Sequence, residues 1–220
     1  MKKFILSVIA TLSVFCLYGQ ECSTMWPYIY PEFQDGTLCK KDGTKFELKV
    51  NVHVLHGRLH YLDDGLVKEA LPGEILLAQI GDDSYMDVKG DIMKVMVKDD
   101  RGFVAAHILG DFDRLRESGG AYGTATNNSA TQKLTSIQVA GHINQNHMEM
   151  WEKRHNGDPI DLVCKYYLVT PDKVWPASRH GIEQELGPEQ KAEFRSWLKS
   201  HKIKWNDPAS LMGLLDFLTK

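Results

Sequence analysis

Residues 45–61 read Lys-Phe-Glu-Leu-Lys-Val-Asn-Val-His-Val-Leu-His-Gly-Arg-Leu-His-Tyr. Phe46, Leu48, Val50, Val52 and Val54 alternate with Lys45, Glu47, Lys49, Asn51 and His53. Five apolar residues at strict i, i+2 spacing predict a strand with one buried and one solvated face. His56-Gly57 then predicts a two-residue turn, in which Gly supplies the positive φ that a primed turn requires. With that loop, Leu55 faces Arg58, Val54 faces Leu59, His53 faces His60 and Val52 faces Tyr61. Apolar meets apolar and polar meets polar, as a half-buried hairpin needs. Gly57→Val is therefore expected to cost more than Gly102→Val, because Gly102 reads as closing a longer, adaptable loop.

Outward from this hairpin the same texture continues from Gly36 to about Gly110. Asp42-Gly43 precedes the first strand. The runs Ile75 to Ile80, Tyr85 to Val88, Ile92 to Val97 and Phe103 to Leu109 each stop at a Gly- or Asp-rich turn. Short strands at this spacing predict an antiparallel meander, as a sandwich or a partly closed barrel. Residues 118–131 are small and polar without periodicity, which reads as a loop or linker. A β pattern returns at Leu162 to Val169 and at Lys173 to Ala177. Pro188, Glu189 and Glu193 early, with Arg195, Lys199 and Lys202 late, fit a helix and its dipole, and Phe194, Trp197 and Leu198 mark its apolar stripe. After Asp207-Pro208, leucines at 211, 214, 215 and 218 predict a second amphipathic helix. The fold class is α+β and β-rich, an antiparallel meander with two amphipathic helices at the C-terminus. Its divisions are 20–113 for the meander, 114–136 for the loop and 137–220 for the later strands and helical segment.

The chain has 220 residues, 43% of them hydrophobic and 25% charged, with 26 basic against 29 acidic side chains. A slightly acidic chain is not a strongly basic nucleic-acid binder, and this apolar content does not fit intrinsic disorder. Lys2 and Lys3 followed by an apolar stretch from Phe4 to Tyr18 predict a secretory signal peptide over 1–19, cleaved after Gly19. The apolar run, about 15 residues long, falls short of the ~20 needed to cross a hydrocarbon core. No transmembrane segment is expected in the mature chain, whose expected place is the periplasm or the outer-membrane surface. Phe15 and Glu21, preceding Cys16 and Cys22, do not suit a lipid-modification signal. Cleavage leaves Cys22, Cys39 and Cys164, which allow one disulfide with three possible pairings and lack a CxxC zinc pattern.

Each chemistry-bearing residue has a simpler role open to it. His53 and His60 are predicted to face each other on the wet side of the hairpin, with Cβ atoms ~5 Å apart. Their neighbours there, Asn51, Arg58 and Leu62, do not complete a metal site. His142, His147 and His155, with Met148, Glu149 and Met150, lack the spacing of a helical metal motif. Asp82, Asp83, Asp87 and Asp91, and separately Asp111 and Asp113, read as turn aspartates rather than calcium loops. Gly119 to Gly123 lacks the context of a phosphate loop, and Ser129 lacks a nucleophile elbow. Cys39 and Cys164 have no motif that would make either a nucleophile. Trp26, Tyr28, Tyr30 and Phe33 could form a ligand platform, although burial against the sheet is the simpler reading. No catalytic residue, metal ligand or cofactor is assigned, and the binding residues are unknown.

Several phrases occur together: Asp42-Gly-Thr44 before the long strand, Leu55-His-Gly57, Gly120-Ala-Tyr-Gly123, Tyr166-Tyr-Leu-Val169, and Lys202-Ile-Lys-Trp-Asn-Asp-Pro-Ala-Ser-Leu211. In these the chain resembles an uncharacterised family of exported proteins of unknown function common in Bacteroidetes. His56 stands where that group more often has Asn or Asp, and Cys39 where an aromatic or aliphatic residue is usual. The resemblance implies an exported envelope protein and carries over no catalytic residue. The function expected is a non-enzymatic cell-envelope module that binds an envelope component or another protein. A small periplasmic hydrolase or metal-dependent enzyme is the first alternative, and a barrel carrying an apolar ligand is the second.

Overall fold

The computed structural model describes residues 23–24, 26–111 and 159–219. Its strands are β1 (Ser23–Thr24), β2 (Gln34–Lys40), β3 (Lys45–His53), β4 (Arg58–Asp63), β5 (Leu66–Glu69), β6 (Ile75–Ile80), β7 (Asp83–Val88), β8 (Asp91–Asp99), β9 (Gly102–Gly110), β10 (Ile160–Val169) and β11 (Val174–Pro176). They form an antiparallel curled sheet in the order β1-β10-β9-β8-β7-β6-β2-β3-β4-β5, with β11 paired to β10. The expected β-rich meander is therefore present, in the partly closed form. Tight turns make this connectivity possible. Asp64-Gly65 and Lys89-Gly90 each place two consecutive residues at positive φ, which is the geometry of the primed two-residue hairpin.

The β3–β4 hairpin departs from its expected register by two residues. His53 pairs with Arg58, Val52 with Leu59 and Asn51 with His60, so the loop is the four residues Val54 to Gly57. The backbone of Val54 is engaged outside the hairpin, its N–H donating to Pro27 O and its C=O accepting from Gly110 N, both at 2.9 Å. A shift of two leaves every side chain on its expected face. The positive φ of Gly57, +60°, is as expected. Gly102 is not in a loop. It begins β9 opposite Asp99, and a Cβ there would overlap the Val169 carbonyl oxygen.

Alternation divides the core between the two faces of the sheet. On the inner face Leu38, Val50, Val52, Leu59, Ala78, Ile80, Tyr85 and Ile92 pack together inside the curl. Further along the same face Val104 and Leu168 pack against the C-terminal helices. On the outer face Val88, Met93 and Ala105 form a third cluster with Phe103, Tyr167 and Val169. Burying apolar area at roughly 25 cal/mol per Å² makes these clusters the main stabilising term.

The helices are α1 (Arg179–Glu185), α2 (Pro188–Ser200), α3 (Pro208–Met212) and α4 (Leu215–Leu218). Ser178 caps α1 by accepting from Gly181 N, and Asp207 caps α3 by accepting from Ala209 N. The two predicted helices are present as α2 and as the pair α3–α4, which is interrupted at Gly213 and Leu214. Phe194, Leu211, Leu214 and Leu215 are fully buried, as the stripes require. The seven-residue helix α1 is additional to the two that the sequence pattern predicts. Glu183 on α1 accepts from Arg195 at 2.6 Å and Arg179 at 3.0 Å, and these partners lower its carboxyl to about 2. The expected linker at 114–136 and the expected signal peptide at 1–19 lie outside the described residues.

Candidate functional site

Among the described residues a buried titratable cluster is built on the β3–β4–β5 edge and the segment entering β2. Pro27 O and Ile29 N bond to Val54 N and Val52 O, which lays residues 27–29 beside β3 and puts Tyr28 opposite His53. Tyr28 thereby covers the face of the hairpin that carries Asn51, His53 and His60. That face, expected to be wet, is buried: His53 is 7% exposed, His60 4% and Asn51 fully buried. The physical reason lies in the aromatic run. Trp26, Tyr28 and Phe33 pack ring against ring, with Trp26 and Tyr28 centroids 4.5 Å apart. This apolar group seals one side of the sheet while the main core seals the other.

Within the cluster every polar atom of His60 is used. Tyr28 Oη lies 2.8 Å from His60 Nδ1, and His60 Nε2 lies 3.0 Å from Glu69 Oε2. A carboxylate only accepts, so Nε2 carries the proton, donates to Glu69, and leaves Nδ1 to accept from the tyrosine hydroxyl. Burial holds the His60 imidazole below its ordinary range, against the opposing pull of Glu69. Burial, reinforced by the Glu69 charge, pushes the Tyr28 hydroxyl far above its usual range. Both rings are therefore neutral near pH 7. Asn51 closes the site from below. Its side chain accepts from Tyr30 N and Val52 N and donates to Tyr30 O and Glu32 O, tying β3 to the segment that enters β2.

Hydroxyl, imidazole and carboxylate in line have the connectivity of a nucleophile, base and orienting acid. In such a chain the hydroxyl must meet substrate and lose its proton. Here Tyr28 is 1% exposed and its hydroxyl is harder to ionise than a free phenol. The arrangement holds its members neutral and joins the buried Tyr28 to Glu69 at the surface, so that any proton reaching it enters at the carboxylate end.

Of the aspartates read from sequence, Asp83 accepts from Tyr30 Oη at 2.6 Å and pairs with Lys94 at 2.7 Å. Asp87 accepts from Gly73 N and Gly90 N. Those two are committed to the fold, as turn aspartates would be. Among the described residues no three His, Cys, Asp or Glu side chains gather closely enough to hold a metal ion. Cys39 and Cys164 lie on β2 and β10, which are not neighbours, and are not bonded to each other. Cys22, His142, His147, His155, Asp113, Gly119 to Gly123 and Ser129 lie outside the described residues.

Sequence reasoning brought His53 and His60 together and missed Glu69 and His107. Glu69 had a signal. Asp64-Gly65 is a strong hairpin dipeptide, and a two-residue loop there places Asp63 opposite Leu66 and hence His60 opposite Glu69, as found. His107 had none, because its surroundings come from strands distant in sequence. No family model, curated protein or solved structure matches this chain.

Proposed function

We propose that the chain is an exported cell-envelope protein that acts as a non-enzymatic binding or structural module. The observation that carries the binding half of this reading is the free end of the sheet. Among the described residues β5 is a terminal strand, all four of its residues are exposed, and it presents Leu66 and Val67, with Leu71 just beyond it. β5 carries Leu66 and Val67 beside Lys68 and Glu69, and an exposed edge strand offers its outward N–H and C=O groups to a partner's strand. The export half is supported by Lys2, Lys3 and the apolar run to Tyr18. No helix among the described residues is long and apolar enough to cross a membrane.

The hydrolase alternative draws on the Tyr28–His60–Glu69 chain, whose closed geometry gives it less support. The carrier alternative needs an unfilled interior, whereas Leu38, Val50, Leu59, Ile80 and Tyr85 pack together within the curl. Site-specific photo-crosslinking in intact envelopes tests the preferred reading. A crosslinker at Leu66 or Leu71 should give one defined adduct, weakened by Val67→Pro, while one at Glu189 gives none. Equal adducts at all three positions, or none, removes it. Turnover of an ester or glycoside that disappears in His60→Gln would place the hydrolase first.

A further inference from the structure

The loop Val54 to Gly57 reaches across the curl to strands that lie five places away in the sheet order. Gly57 O accepts from Ile92 N, and Val54 O from Gly110 N, each at 2.9 Å. Arg58 donates to Gly90 O and lies 3.8 Å from Asp91. These contacts clasp the β3–β4 loop to the start of β8 and the end of β9. They hold this end of the half-barrel closed.

His107 lies against the clasp. It is 8% exposed, and a Cβ on Gly57 would overlap its Nε2. Among the described residues, that Nε2 is the buried side-chain nitrogen or oxygen without a hydrogen-bond partner. A neutral ring with its proton elsewhere tolerates this position, because a bare acceptor against a glycine costs only lost solvation. A proton on Nε2 would place a charged donor against Gly57 with no acceptor, and burying such a group is far more costly. The charged groups facing the ring are Asp91 from β8, Arg58 from β4 and Lys165, its pairing partner on β10. Two cations and one carboxylate leave little to offset a further positive charge.

We propose that His107 is an acid-sensitive latch whose protonation releases the Val54–Gly57 loop from β8 and β9 and opens the curled sheet at this end. Burial lowers the affinity of His107 for its proton, Asp91 opposes this, and Lys165 and Arg58 reinforce it. The latch is therefore closed at neutral pH, and its stability declines as pH falls below about 6.5, the ordinary histidine value, toward the lower folded one.

Hydrogen exchange on the full-length mature protein, followed by NMR from pH 7.5 to 5 and corrected for intrinsic rates, tests this. Protection at the amides of Ile92 and Gly110 should fall by about tenfold or more over that range, because the open state takes up the proton more readily than the closed one. The β2–β6 ladder should change far less. In both His107→Gln and His107→Phe the acid-dependent loss at Ile92 and Gly110 should shrink to that of the β2–β6 ladder. Should neither variant fold, the ring of His107 in the wild-type protein is followed directly, and its titration must coincide with the opening of the two amides. Unchanged protection at those amides, the same loss in a folded variant, or a ring that stays neutral while they open would each overturn the latch.

Discussion

His53 and His60 stack with ring centroids 4.9 Å apart and planes 20° from parallel, although the residue opposite His60 in the hairpin is Asn51. The two histidines are diagonal neighbours on one sheet face, and Tyr28 stands edge-on to both, at 5.0 and 5.5 Å. Two imidazolium ions at that distance would repel, so the stack does not hold both rings charged, and burial disfavours the charged form of His60. The neutrality of the site and its burial are thus one property.

Acid should therefore weaken the fold through the protonation of His60. His60 has a folded pKa below its ordinary value, so near pH 6 and below the unfolded chain binds the extra proton more readily. Stability is full above about 6.5 and is lost as pH falls from there through the lower folded value. Urea midpoints should be flat from pH 8 to 7 and should fall by pH 5. The decline should be smaller in His60→Gln. A midpoint independent of pH over that range would contradict the burial of these rings.

Tyr28→Phe should cost about 1–2 kcal/mol, because the aromatic packing survives while His60 Nδ1 loses its donor inside the fold. His60→Ala, which strands both the Tyr28 hydroxyl and a cavity, should cost more. Chemical denaturation of the two variants at pH 7.5 gives the order. Equal losses would mean that the His60 ring contributes nothing beyond its hydrogen bond with Tyr28.

Gly102→Val should be at least as damaging as Gly57→Val, the reverse of what turn chemistry alone suggests. At Gly57 the cost is a positive φ, roughly 1–3 kcal/mol for a β-branched residue, together with displacement of a His107 ring that can rotate. At Gly102 the obstacle is the Val169 carbonyl, fixed in the neighbouring strand. Thermal midpoints of the two variants, measured side by side, decide it.

Phe194→Ala on α2 should cost about 3–5 kcal/mol, the range for emptying a buried aromatic site. Its ring lies 5.2 Å from that of Phe217 and belongs to the cluster that joins the helices to Val104 and Leu168. Loss of β-sheet signal in the same transition as helix signal would show a single cooperative core. Separate transitions would show that the helices are an appendage.

Untagged protein should carry no stoichiometric zinc or copper through His53 and His60. Both nitrogens of His60 are occupied, by Tyr28 and Glu69, and a metal would have to displace one of them. Elemental analysis gives the answer. Bound metal that disappears in the His53→Ala, His60→Ala double variant would refute it.

Sequence alone determined the parts of this protein that depend on neighbours along the chain. Alternation from Phe46 to Val54, turn glycines such as Gly57, and the spacing of Leu211, Leu214, Leu215 and Leu218 are local patterns. They gave the β3–β4 hairpin, the positive φ of Gly57 and the buried helical stripe, but neither the length of the turn nor the break at Gly213 and Leu214. The pairing of His60 with Glu69 was legible too, because Asp64-Gly65 fixes that hairpin. Tertiary structure decided which faces are dry. Nothing within residues 45–61 reveals that Tyr28 and Trp26 will cover the polar side of the strand, or that Val54 will bond to Pro27 and Gly110 and so lengthen the turn by two residues. The same holds for His107. Its silent Nε2 is made by Gly57, Arg58 and Asp91 converging from other strands, and burial of that kind is set by the curl of the whole sheet rather than by any residue's immediate neighbours.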